Sequence, residues 1–176
     1  MVAEGSWKDE RGVNLLDTGA PFYGTYEASD RKHLAIAPLE PQFFAQFLYL
    51  TGLQNNPAFK IQSGRTAWPA MRQKLTALYM TNSRDEWCTI FDRSDACVTP
   101  VLSMAEARQY SQNLERKAFI APAGVPQPAP APRFSLTTAD EPVPPRPLGT
   151  DTTAVLVDIG YDEGQIADMR DGGVIG

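Results

Sequence analysis

The sequence predicts an α+β fold, a small antiparallel sheet with packed helices, flanked by extended arms and two C-terminal helices. Three observations carry this. Apolar and polar residues alternate over residues 22–37, as in a hairpin, and apolar residues recur every three or four positions over 41–92, as in helices. Nine of the 15 prolines fall between Pro122 and Pro147, where regular helix or sheet is not expected. With 176 residues, 43% of them hydrophobic and 10% aromatic, the chain has material for about one domain with a real core.

Residues 1–21 read as a linker arm, punctuated by Gly5, Gly12 and Gly19, whose apolar pair Leu15 and Leu16 cannot hold a core alone. The α+β body is expected over 22–121. It opens with strands near 22–28 and 32–37, joined at Ser29-Asp30-Arg31, a turn without the glycine that makes a positive φ cheap. Pro41, tolerated in a first helical turn, precedes Phe43, Phe44, Phe47, Leu48 and Leu50, which gives a helix at about 41–52 stopped by Gly52. Trp68, Met71, Leu75 and Leu78 give a second helix at about 67–80.

A third helix, at about 84–92, starts from the capping box Ser83/Glu86 and should bury Trp87, Ile90 and Phe91. Ala96 to Leu102 reads as a short strand placed at an edge, or ended, by Pro100. Ser103/Glu106 is another capping box, so a short helix starts at about 104, and Lys117 to Ala121 gives one more strand. Residues 122–150 form a Pro-rich extended arm, semi-rigid in the polyproline manner. The tail, 151–176, returns to helix twice, with Val155, Leu156 and Ile159 on one face and Ile166 and Met169 on the next, separated by Gly160.

Charge excludes one class of partner. The 16 basic and 21 acidic residues leave −5, and this imbalance lies wholly in residues 151–176, where six carboxylates face Arg170 alone. No basic stripe is present to displace counterions, so nucleic acid is not an expected partner. Cys88 and Cys97, nine residues apart, form neither a disulfide framework nor a zinc pattern, and no metal is expected. The apolar runs are too short for a membrane span and the polar start is not signal-like, so the expectation is a protein with no membrane partner, in a reducing cytoplasm.

Nucleophile and phosphate motifs are missing: there is no Gly-x-Ser-x-Gly, no P-loop and no Gly-x-Gly-x-x-Gly. His33, the single histidine, lies in a predicted strand without an evident partner, and Cys97 reads as packing in an apolar strand. Glu40 differs, because it is the one carboxylate in the apolar, proline-flanked run from Leu34 to Phe44, where a strand ends and a helix begins. Burial there would raise its pKa toward neutral and suit it to proton exchange. Equally, it could be a helix-start carboxylate that favours the dipole.

Three blocks decide between these readings. Asn14-Leu15-Leu16-Asp17-Thr18-Gly19-Ala20-Pro21-Phe22-Tyr23-Gly24-Thr25-Tyr26, then Leu39-Glu40-Pro41-Gln42-Phe43-Phe44, then Asp95-Ala96-Cys97-Val98-Thr99-Pro100-Val101-Leu102 strongly resemble the family III CoA-transferases (CaiB/BaiF type), and among them the racemase branch. Pro130-Ala131-Pro132-Arg133-Phe134-Ser135 and the closing helices also fit, so the resemblance covers essentially the whole chain. Family members are considerably longer. The resemblance implies that this sequence corresponds to their linker, small domain and return arm, without the Rossmann-like large domain that binds CoA. It further implies an interlocked homodimer, or a missing N-terminal half, with the active site between the large domain of one subunit and the small domain of the other.

For the racemase branch the resemblance implies an acyl-CoA substrate, the CoA thioester itself with no further cofactor, whose α-proton leaves one face and returns on the other through an enolate. Glu40 matches the family's catalytic glutamate, which supports a histidine. Leu16 and Leu39 are the expected substrate-binding residues. The family's histidine and opposing aspartate belong to the absent half, and neither His33 nor Asp17 matches them. The chain is therefore expected to be inactive alone; CoA transfer between carboxylic acids, or mere association with a full-length relative, are the competing readings. Thr18 and Arg31 stand where the family often has glycine, and Ala37-Pro38-Leu39 replaces a Gly-Ala-Ile-like run, so both turns should be stiffer than usual.

Overall fold

The structure is a computed structural model describing residues 2–176. It divides into two compact units, Met1–Ala107 and Arg108–Gly176. The first holds a three-stranded antiparallel sheet, β1 (Gly24–Glu27), β2 (His33–Ile36) and β3 (Val98–Pro100), in the order β1-β2-β3. Thr25 pairs with Ala35 and Tyr26 with Leu34, while Leu34 faces Pro100 on the other side. Pro100, which cannot donate to a ladder, thus lies on an edge strand as expected. The alternation also holds: Phe22, Tyr26, Ala28, Leu34 and Ile36 are buried, and Thr25 and Glu27 are exposed.

The hairpin turn places Arg31 at φ 63°, in the left-handed region, and the Asp30 carboxylate accepts from the Lys32 N–H at 3.2 Å. Helix α1 (Pro41–Leu50) buries Phe44, Phe47 and Leu48. It ends in a Schellman motif: the Leu53 N–H donates to the Leu48 carbonyl at 2.8 Å and Gly52 takes φ 70°. Helix α2 (Trp68–Tyr79) buries Trp68, Met71, Leu75 and Tyr79; Leu78, expected in that stripe, is half-buried.

Helix α3 (Arg84–Phe91) has the expected capping box, with the Ser83 N–H donating to Glu86 at 2.7 Å and the Glu86 N–H to Ser83 Oγ at 3.3 Å. Hydrogen bonds from Ser83 hold the Glu86 carboxyl below its usual range. Trp87 and Phe91 are buried on α3, but Ile90 turns outward, 38% exposed, because the stripe is completed by Arg84. Arg84 is itself buried. Its guanidinium forks onto Glu106 at 2.9 and 3.1 Å and also donates to Asp85 and the Val101 carbonyl.

Aromatic rings bind these elements into one core. Phe22 meets Phe44 and Trp68 edge-on at 5.5 and 6.0 Å, Tyr79 lies 5.2 Å from both Tyr26 and Trp87, and Phe47 stacks on Phe91 at 6.1 Å. Each such side chain contributes about 1.5–3 kcal/mol by leaving water. The Tyr26 hydroxyl donates to the Pro21 carbonyl at 2.6 Å, and burial pushes its pKa up to about 12, the charge of Arg72 offsetting this only in part.

Helix α4 (Met104–Gln109) starts at the Ser103/Glu106 box, in which the Glu106 N–H donates to Ser103 Oγ at 3.2 Å. Arg108–Gly176 contains α5 (Ser111–Glu115), which the sequence reading does not anticipate, and the antiparallel pair β4 (Phe119–Ile120) and β5 (Gln127–Pro128). The proline-rich stretch is therefore not wholly irregular: Phe119 pairs with Pro128, whose missing N–H a two-strand ladder tolerates. No helix or strand lies between Pro128 and Thr152. The two closing helices are α6 (Thr152–Asp158) and α7 (Glu163–Asp171), separated at Gly160, φ 100°. Among the described residues of this unit, Ile166 is the buried large hydrophobe.

Candidate active site

Glu40 occupies the bend between β2 and α1. Its backbone, φ −73° and ψ 143°, is that of an N-cap, and its carbonyl accepts from the Phe44 N–H at 2.9 Å. The bend is clamped from several sides. The Ala37 N–H donates to the Cys97 carbonyl at 2.9 Å, the Leu39 N–H to the Ala37 carbonyl at 2.8 Å, and the Gln62 amide to the Pro38 and Leu39 carbonyls at 3.0 Å each. Pro38 is fully buried. Gln62 is held in turn, its carbonyl accepting from Trp68 Nε1 at 3.0 Å.

The Glu40 side chain makes no capping hydrogen bond and is exposed. The burial expected from its apolar neighbours does not occur in this chain, because Leu39 and Pro38 turn inward while the carboxylate points to solvent. Cys97 shares the neighbourhood. It precedes β3 rather than lying within it, is half-buried, and has φ 52°. Desolvation pushes its thiol up, and the carboxylates of Glu40 and Asp95 add to that, so the thiolate is disfavoured.

A cavity of about 450 Å³ opens beside the bend, walled by Leu15, Phe22, Leu39, Pro41, Trp68 and Arg65. Of the two expected substrate-binding leucines, Leu39 lines it; Leu16 is 42% exposed and outside the lining, where its neighbour Leu15 stands. Leu15 is fixed by a loop that the sequence reading treats as an irregular arm. Asn14 is fully buried; its amide donates to the Lys8 and Glu10 carbonyls and to Asp17, while its oxygen accepts from the Lys8 N–H at 2.7 Å. Asp17 also accepts from the N–H groups of Gly12, Asn14 and Gly19. Desolvation pushes the Asp17 carboxyl up, and these hydrogen bonds more than offset it, holding it below its usual range. Gly19 is required, since a Cβ there would overlap the backbone of Val13 and Asn14.

His33, the one histidine of the sequence, begins β2 opposite Glu27, and Glu40 lies beyond the strand's other end. Among the described residues, no group of three or more His, Cys, Asp or Glu is placed to hold a metal, and no helix is long and apolar enough to cross a membrane. Sequence reasoning missed Gln62 and the Asn14–Asp17 pair as positioning residues. An Asn-x-x-Asp spacing between glycines signals such a loop, whereas nothing in the sequence marks Gln62.

The comparisons with known proteins agree with this architecture. The chain is 39% identical over 168 residues to the Mus musculus protein named alpha-methylacyl-CoA racemase and 34% identical over 171 residues to its Homo sapiens counterpart, covering 94% and 96% of the chain. It spans 44% of the length of each. A Caenorhabditis elegans CaiB/baiF CoA-transferase family protein is 30% identical over 105 residues, 60% of the chain and 29% of that protein. Among solved structures, a CAIB/BAIF family protein from Brucella suis superposes with a TM-score of 0.64 at 21% identity over 90% of the chain and 42% of that protein, which shows the shared α+β fold. The model of CoA-transferase family III matches residues 2–152, and the chain belongs to that enzyme family.

Proposed function

We propose that this chain supplies one side of an active site that epimerises the α-carbon of 2-methylacyl-CoA thioesters, with Glu40 as its contribution to proton transfer. The position of Glu40 carries this reading. Its backbone is fixed by Gln62, Pro38 and the first turn of α1, its carboxylate has no capping partner, and an apolar cavity lies beside it. Such a carboxylate is free to hold a histidine brought by another polypeptide segment, and the cavity suits a branched acyl chain.

Inversion removes the α-proton to a base on one face, leaving the electron pair delocalised onto the thioester oxygen as an enolate. An acid on the opposite face then delivers a proton to the same carbon. One carboxylate cannot serve both faces, so the partner groups come from outside these 176 residues, from the portion of the relatives that the chain does not match. A reducing, cytoplasmic setting fits two free thiols, Cys88 and Cys97.

Exchange of the 2-methylacyl-CoA α-proton with solvent deuterium tests this. The chain alone should show none. Co-expression with the unmatched portion of the mouse racemase should restore exchange, and Glu40→Gln should lower it by about 10²- to 10⁴-fold. Exchange by the chain alone, or full exchange in Glu40→Gln, would refute the proposal. The similarity to a CoA-transferase family protein favours a second reading, transfer of CoA between carboxylic acids; incorporation of a labelled free acid into thioester without α-proton exchange would select it.

A further inference from the structure

Two arginines of the first unit face one cavity without a carboxylate to neutralise them. Arg65 lies in the short turn Arg65–Ala67 that leads into α2, its guanidinium 5.3 Å above the Trp68 ring. Arg72 lies seven residues on, within α2. Both line a cavity of about 380 Å³ whose opposite wall is backbone of Gly12, Val13 and Gly19. Arg72 Nη2 donates to the Gly19 carbonyl at 3.0 Å and to that of Thr18, while Arg65 makes only long contacts, 3.4 Å each, to the carbonyls of Val13 and Ser6.

Carbonyls orient a guanidinium without cancelling its charge. Neither arginine has an ion pair among the described residues, and Arg72 Nε and Nη1 find no acceptor there. Arg84 shows the contrast, its fork closed on Glu106 and Asp85. Two like charges held in one pocket repel, and the arrangement is relieved by an oxyanion that accepts from both. This cavity also shares Arg65 and Trp68 with the apolar one beside Leu39.

We propose that Arg65 and Arg72 form an oxyanion-binding site for a ligand whose apolar part lies in the cavity beside Glu40. The choice of ligand rests on the acyl-CoA reading above: the oxyanion is either a phosphate of the CoA portion or a carboxylate at the far end of a dicarboxylic acyl group. The site itself stands apart from the proton chemistry.

Calorimetric titration of the intact chain at low salt with inorganic phosphate, coenzyme A and adipate tests it. At least one probe should bind, more weakly as sodium chloride is added, and about tenfold more weakly in Arg65→Gln. Binding of phosphate and coenzyme A but not adipate assigns the phosphate source; adipate alone assigns the acyl carboxylate. Arg65 is exposed and held only by long hydrogen bonds and its contact with the Trp68 ring, so Arg65→Gln should keep the fold, which its near-ultraviolet circular dichroism should verify. Phenylglyoxal labelling of Arg65, blocked by the bound probe, gives a second readout. No binding by any probe, or equal binding by wild type, Arg65→Gln and Arg72→Lys, would overturn the proposal and leave the arginines as anchors of the 6–19 loop. Glu40→Gln should leave phosphate binding unchanged, so failure of the epimerase reading and failure of this site are separable.

Discussion

Met1–Ala107 and Arg108–Gly176 are built by the same local rules and differ in what those rules are allowed to bury. Capping boxes start helices in both: Ser83/Glu86 opens α3, and Asp162/Gln165 opens α7. In the first unit the helix and sheet faces meet one another over several elements, so Phe47, Leu34, Met71 and Leu75 are fully buried, whereas in the second α7 buries Ile166 while Val155, Val157 and Ile159 are 53–65% exposed. A cap fixes where a helix begins, but aromatic density across several elements makes a core. The site follows the core: Glu40, the apolar cavity and both arginines lie in the first unit.

The sharpest way to break this contrast is to empty the first unit. Phe47→Ala removes a fully buried ring that stacks on Phe91 and lies 6.2 Å from Phe44, and it should cost about 3–5 kcal/mol. Urea unfolding followed by tryptophan fluorescence measures it cleanly, because Trp7, Trp68 and Trp87 all belong to this unit. A loss below about 1 kcal/mol would mean that the ring stack is not the structural centre.

Acid should weaken the same unit next. The side-chain hydrogen bond from Arg84, with help from Ser103 and Lys32, holds the Glu106 carboxyl well below its usual range. Its contribution is therefore fully present above the unfolded glutamate value, about pH 4.3, and fades as pH falls toward the folded value. Over that acidic window the wild-type unfolding midpoint should drop steadily. Glu106→Gln should lower the midpoint at neutral pH and flatten the acid slope, leaving the part due to Asp17, Asp30 and Glu86, which also lie below their usual ranges.

Much of the first unit was legible because its signals are local. Periodicity placed β1, β2 and the three long helices, and Gly52 and Ser83 marked their ends. The site was legible in part. The motif around Glu40 points to the residue, yet the exposure of its carboxylate depends on which way Pro38 and Leu39 turn, and Gln62, twenty-two positions on, decides how firmly the bend is held. Arg84 was hidden because a charged residue in a buried stripe is explained only by Glu106, a partner on another helix. β5 was hidden by its proline, which reads as a breaker until Phe119 is seen to pair with it.

A smaller effect sharpens the reading of the two stiff turns. Thr18 and Arg31 stand where the resembled family often has glycine, and both adopt left-handed backbone, φ 74° and 63°. A side chain there costs about 1–2 kcal/mol, part of which glycine returns as unfolded-state entropy. Arg31→Gly should therefore stabilise the first unit by up to about 1 kcal/mol, because the Arg31 side chain is exposed. A loss of stability in the urea midpoint would show that the hairpin does not tolerate the added freedom, and that the strain is compensated locally by the Asp30–Lys32 hydrogen bond.

The smallest effect belongs to the second unit. Val157 is 53% exposed on α6, so Val157→Ser removes little apolar area from a protein environment and trades one residue of modest helix propensity for another. The change in stability should stay within about 0.5 kcal/mol, as for substitutions away from packed features. Because this unit contains no tryptophan, the effect is read from amide hydrogen exchange of α6 rather than from fluorescence. Repeating the measurement with the unmatched portion of the mouse racemase present sharpens the test. Protection of α6 that rises on mixing in the wild type, and rises less in Val157→Ser, would show that this face is covered by the added polypeptide; unchanged protection would show that α6 stays solvated in the assembly.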